Sequence, residues 1–175
     1  VVKHIASTKG PCYVRIGRAD VPTITDEATP FDVNKAPVLR EGKDIALVAI
    51  GSMVAPAAEA AKTLSSAHNI EATVVNARFA KPLDAGLVLG LAQKTGRLVT
   101  VEENTLNGGF GGAVLELLAH SKLGPVTVEC IGLPDRFIEH GSPDLFRAQF
   151  DLDAEGIVRR VKAAFPMLLS SPASS

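Results

Sequence analysis

Aromatic side chains and net charge are both scarce: Phe, Trp and Tyr together make 5% of the 175 residues, and 18 Lys and Arg stand against 19 Asp and Glu. Nucleic-acid recognition draws on stacking platforms and basic patches, and an anionic membrane surface attracts a cationic face, so neither partner is expected. Cysteine is as rare. Cys12 and Cys130 fall in segments that read as strands, and small buried thiols in a reducing, cytoplasmic compartment suit them better than a disulfide. No run approaches the roughly 18 uninterrupted apolar residues of a membrane-spanning helix, and the charged, apolar and small-residue regions of a signal peptide are missing. Position 1 is not Met. The chain opens on a helical pattern with Val1, Val2 and Ile5 on one face, which predicts a fragment or processed product.

Several chemical motifs are absent too. In "VEENTLNGGFGGAVLELL" (101–118), Gly109 and Gly111 can be the first two glycines of a dinucleotide fingerprint, but the third position is Val114. No Gly-Lys-Ser or Gly-Lys-Thr occurs, which removes a P-loop. A helix starting near Gly112 still offers N–H groups and a positive dipole end to an anion. Glu102 and Glu103, at the end of the incoming strand, can supply that charge internally, so the stretch reads as a structural corner. In "IGSMV" (50–54) Ser52 reads as an N-cap and lacks the G-x-S-x-G of a nucleophile elbow. His4, His68, His120 and His140 form no i, i+4 pair and neither cysteine has a C-x-x-C partner, so no metal site is expected.

What is present from Asp44 onward is an alternation of short β-branched runs with helical ones, the pattern of βαβ units and a mainly parallel sheet. Strands are expected at 44–50, 71–77, 97–103 and 126–132, with helices at 54–67, 84–95 and 112–121 between them, the first burying Val54, Ala57, Ala58, Ala61 and Leu64 at 3.6-residue spacing. Two covering helices follow, capped by Ser142 with Pro143 at the first helical position and by Asp153. "APVLREGKDIALVAI" reads as a hairpin about Glu41-Gly42-Lys43 that adds one antiparallel edge strand. Residues 19–37 are polar and proline-bearing, a linker; 1–18 read as the tail of a preceding domain, 38–169 as the main domain, and 170–175 as a disordered tail.

Two charged stretches remain. "IGLPDRFIEHGS" (131–142) gathers Asp135, Arg136, Glu139 and His140 beside Phe137 and Ile138; an Asp–Arg or Glu–Arg tether, with the apolar pair buried at an interface, explains it better than catalysis. Arg15 and Arg18 end the expected strand "CYVRI", where a guanidinium can present its fork to a phosphate or carboxylate or form a surface salt bridge.

Together, "VVNARFAKPLD", "LVTVEENTLNGGFGGAVLELL", "IGLPDRFIEHGS" and "LDAEGIV", in this order, resemble the C-terminal third of transketolase-family thiamine-diphosphate enzymes. Within that family they look most like the 1-deoxy-D-xylulose-5-phosphate synthase group. "YVRIGRADVPTIT" departs from that group's Arg-Tyr-Pro-Arg-Gly stretch and is closer to the C-terminal half of a two-subunit transketolase, while Arg15 and Arg18 keep the arginine spacing. The resemblance implies a three-layer α/β/α domain around a five-stranded mixed sheet, mostly parallel with one antiparallel edge strand. It implies that Arg18 binds the sugar substrate's phosphate, that thiamine diphosphate and Mg2+ are held by absent N-terminal and pyrimidine domains, and that this domain supports a homodimer without supplying a catalytic group. Transketolase itself, a 2-oxo acid dehydrogenase beta subunit, and a free-standing module holding an anion or nucleotide near Gly108 to Gly112 are the alternatives.

Overall fold

The computed structural model describes residues 2–14, 20–26, 29 and 31–169. Helix α1 spans Val2–Ser7, and no strand or helix occurs among the described residues between it and β1, Val38–Arg40. Then come β2 (Ile45–Ala49), α2 (Val54–His68), β3 (Ala72–Asn76), α3 (Ala85–Thr95), β4 (Arg97–Thr105), α4 (Phe110–Ala119), β5 (Thr127–Leu133), α5 (Pro143–Gln149) and α6 (Ala154–Ala164).

All five residues of β2 are apolar and buried, which places that strand in the middle of the sheet with both faces covered. The strand order is β1-β3-β2-β4-β5. β2 runs parallel to β3, pairing Ile45 with Ala72, and parallel to β4, pairing Ala46 with Leu98; β4 and β5 are parallel as well. Side chains alternate between the two faces. Ile45, Leu47, Val74, Val99 and Ile131 pack with Leu64 of α2 and with Ile157 and Val161 of α6. Ala46, Val48, Val75 and Leu98 pack on the opposite side with Val88 and Leu91 of α3 and with Phe110 and Val114 of α4. Helix–sheet–helix layering around a five-stranded mixed sheet is therefore the architecture.

The helix starts show why the chain stops and turns where it does. Asp84 accepts from the Leu87 amide at 3.2 Å while its other oxygen accepts from the Ala36 amide at 3.1 Å, so one side chain caps α3 and anchors the strand of chain leading to β1. Asp153 caps α6 through the Gly156 amide at 2.7 Å. Ser142 stands at the N-cap of α5, although its hydroxyl makes no capping bond.

Four local expectations need correction. β1 is an antiparallel edge strand, but it pairs with β3, Val38 opposite Val75, and not with β2 as a hairpin would require. Gly42 makes the crossing possible: a Cβ there would land on the Ala72 carbonyl carbon and the Glu71 carbonyl oxygen, and Thr73 Oγ1 both accepts from the Gly42 amide (3.0 Å) and donates to its carbonyl (2.9 Å). Cys12–Val14 form no strand, and Cys12 is exposed; a strand needs a neighbour, and the sheet's edges are β1 and β5. Ser52 lies inside a 3-10 turn, Gly51–Met53, so that Met53 is the N-cap of α2. Ala58 is only half-buried, and Ala60 takes its place on the buried face of α2. Arg15, Arg18 and the tail expected at 170–175 lie outside the described residues.

Candidate functional site

α/β sheets hold ligands beyond the C-terminal ends of their parallel strands, where neighbouring connections leave in opposite directions. That point falls here between β2, whose connection leads to β3, and β4, whose connection leads to β5 on the other side. A cleft of about 550 Å³ opens there, with Ser52, Lys81, Glu102, Glu103, Asn104 and Gly109 on its walls.

Successive residues on a strand point to opposite faces, and the two glutamates at the end of β4 follow that rule into different roles. Glu102 is 1% exposed and turns into the glycine corner. Its Oε2 accepts from the Phe110 amide and its Oε1 from the Gly111 amide, both at 2.8 Å. The first-turn N–H groups of α4 are thus already filled by an internal side chain. Gly108 takes φ +73, and a Cβ on Gly109 would stand 2.7 Å from Glu102 Oε1 and collide with the Thr105 carbonyl, so both glycines are needed to bring the backbone over the carboxyl group. The corner is a structural joint, as its two acidic residues suggest, and a phosphate would meet an occupied cradle.

Glu103 turns outward. It accepts from Ser52 Oγ at 2.6 Å and receives the fork of Arg147, Nε at 2.9 Å and Nη2 at 3.2 Å, which ties α5 to the end of β4. Partial burial alone would raise its pKa, but the Arg147 and Ser52 hydrogen bonds outweigh that, so the carboxyl is held below its ordinary value. The Ser52 hydroxyl is committed as a donor there, and no imidazole lines the cleft.

The loop at 131–142 is held otherwise than expected. Asp135 accepts from Asn107 Nδ2 at 3.2 Å, and the Arg136 guanidinium lies 5.8 Å from the Phe150 ring centroid, so neither a local Asp–Arg nor a Glu–Arg tether forms among the described residues. Phe137 is fully exposed. Ile138 beside it is half-buried. The histidines stay apart: His4 packs on Phe31 at 5.6 Å, His68 ends α2, His120 is the C-cap of α4 and His140 lies in the loop. No group of three metal-capable side chains occurs among the described residues. Asp20, Val21 and Pro22, directly after the arginine pair, line a second cleft with Ser52, Glu59 and Arg147. The Glu103–Arg147 pair was missed in the sequence because its members are 44 residues apart; a polar residue alternating outward at a strand's end was the only signal.

Comparison with known proteins fits this geometry. The transketolase C-terminal domain family matches residues 34–157, from just before β1 into α6. The 1-deoxy-D-xylulose-5-phosphate synthase of Desulforudis audaxviator (strain MP104C) is 46% identical over 93% of this chain. Synthase 1 of Geobacter metallireducens is 50% identical over 87% of it. Those alignments take in 26% and 25% of the relatives, so the chain spans about a quarter of their length. Among solved structures, a split-gene transketolase described as an inactive beta4 tetramer superposes with TM-score 0.85 at 39% identity, covering 94% of this chain and 53% of that one. With the family model matching residues 34–157, most of the chain, the chain belongs to the transketolase C-terminal domain family.

Proposed function

We propose that this chain is the C-terminal part of a thiamine-diphosphate-dependent transferase that condenses pyruvate with glyceraldehyde 3-phosphate to 1-deoxyxylulose 5-phosphate and carbon dioxide. Its own role is to scaffold that enzyme and to support a homodimer in the cytoplasm; alone it is inactive. The observation that carries this reading is Glu102. By filling the N–H pair of Phe110 and Gly111 it leaves the most cofactor-like corner of the fold without room for a diphosphate. That corner therefore does not fit a diphosphate, and in this reading thiamine diphosphate and Mg2+ are held by the diphosphate-binding and pyrimidine domains that the family resemblance implies. Relatives at 46% and 50% identity named as the synthase support the choice of reaction.

Arg18 is the one residue of the chain assigned to substrate, as the guanidinium that orients the sugar phosphate. The assignment rests on the resemblance to the family, whose arginine spacing Arg15 and Arg18 keep. In the full-length enzyme Arg18→Ala should raise KM for glyceraldehyde 3-phosphate while leaving KM for pyruvate nearly unchanged; kinetics equal to the parent's would remove Arg18 from the site. The similarity to a split-gene transketolase favours a second reading, that of a transketolase. Carbon dioxide released from pyruvate plus glyceraldehyde 3-phosphate, against two-carbon transfer between sugar phosphates, separates the two. A free-standing module holding a nucleotide near Gly108 to Gly112 is disfavoured by the same Glu102 contacts.

A further inference from the structure

A third cleft, independent of the reaction above, lies at the C-terminal end of β5 between the loop leaving that strand and helices α5 and α6. It measures about 420 Å³ and is walled by Leu106, Pro134 and Phe150, with Arg136, Gln149 and Arg160 as its donors. A smaller cavity of about 250 Å³ adjoins it through Arg136, Gln149 and Phe150. The larger falls within the roughly 300–1,000 Å³ of small-molecule sites, and few polar groups on apolar walls are what such sites contain.

Arg136 and Gln149 are unsatisfied among the described residues, and Arg160 is satisfied in part. Phe150 stacks on Phe146 at 6.5 Å between centroids, and the Arg136 guanidinium lies 5.8 Å from the Phe150 centroid. A guanidinium against a ring keeps its N–H edge available to an anion. Arg136 has no carboxylate partner and the Gln149 carboxamide makes no hydrogen bond among the described residues. Arg160 gives Nε and Nη2 to Glu129 and Nη2 also to the Cys130 carbonyl at 3.4 Å, which leaves Nη1. Asp151 also lines the cleft, but its carboxylate is engaged by the fork of Arg159 at 2.7 and 3.2 Å. Each of these two carboxylates thus has an arginine of its own, and Arg136 remains uncompensated. Glu139, in the smaller cavity, is a carboxylate without an arginine partner among the described residues.

We propose that this cleft binds a small organic anion, a carboxylate or a phosphate monoester, with Arg136 as its cationic group and Arg160 Nη1 and Gln149 as further donors. Both anions offer the paired oxygens that a guanidinium fork matches, and the walls of Leu106, Pro134 and Phe150 receive a short carbon skeleton. The test is an amide NMR titration of the 175-residue chain at low ionic strength with inorganic phosphate, glycerol phosphate and succinate in separate arms, chloride serving as control. At least one anion should saturate, with shifts concentrated at Gly132, Arg136, Gln149 and Arg160. The arm that saturates at the lowest concentration names the source. Arg136→Ala should weaken binding roughly tenfold and Arg136→Lys nearly as much, because the flat fork is lost in both. Lys94→Ala, which removes an equal charge beside Glu41, should change it less than about twofold. Dispersed spectra of each variant verify the fold. Absence of saturation by every anion up to about 20 mM, or an Arg136→Ala loss below about threefold or equal to that of Lys94→Ala, overturns the proposal.

Discussion

Two buried polar side chains two positions apart on the same strand, Thr100 and Glu102, carry opposite consequences for stability. Glu102 is tolerated inside because both of its oxygens accept backbone N–H groups; Thr100 is 0% exposed and its Oγ1 has no partner. Removing an acceptor leaves a buried donor orphaned at roughly 1–3 kcal/mol each, whereas replacing an unsatisfied hydroxyl by a methyl of the same shape removes a desolvation cost. Glu102→Ala should therefore lower unfolding stability by about 3 kcal/mol or more, and Thr100→Val should leave it unchanged or raise it by about 1 kcal/mol. Urea midpoints at constant slope measure both. A Glu102→Ala loss under about 1 kcal/mol, or a destabilised Thr100→Val, would contradict these roles. The acidic pair at this corner was legible from the sequence, and so was the use of its charge at the glycine turn. Which glutamate faces inward follows from strand alternation only once the register is fixed.

Helix α5 buries none of its residues, so it is held mainly by polar and ring contacts: the Arg147 fork on Glu103 and the Phe146–Phe150 stack. Arg147→Ala should speed amide hydrogen exchange across 143–149 while leaving β2 unchanged; equal protection in α5 would remove the tether. The pH dependence has a definite sign. Because the folded Glu103 carboxyl titrates lower than an unfolded one at about 4.3, its stabilising contribution is complete above that value and is lost as pH falls through the lower folded pKa. Protection factors in α5, corrected for the intrinsic pH dependence of amide exchange, should fall on acidification through that window, and the step should shrink in Arg147→Ala. Elements of this kind differ in how far they could be read locally. The helix and strand periods from Asp44 onward, and the Pro143 and Asp144 start of α5, are local chemistry and were legible. The partner of β1 was not, since three residues of edge strand look alike beside β2 or β3; what decides is the passage of Gly42 over the Glu71–Ala72 backbone, a nonlocal fit.

The segment shared with the family ends at residue 157, but the folding unit does not. Val161 and Phe165 are 0% exposed and Val158 is 7% exposed, and they close the core against α2 and the sheet. At the other end the packing also reaches beyond the match: Ile24 packs against the same core, and the Phe31 ring lies 5.9 Å from that of Phe79. A single Phe→Ala change at a buried site costs about 3–5 kcal/mol, while whole domains are stable by only about 5–15 kcal/mol. Phe165→Ala should therefore fold with a clearly lowered midpoint. A chain ending at Ile157 would lose all three side chains and most of the helix that presents them, and it should give a collapsed amide spectrum and no cooperative thermal transition. If that shortened chain instead melts cooperatively near the parent's temperature, the helix behind the sheet is an accessory, and the core must close within the family-matched residues alone.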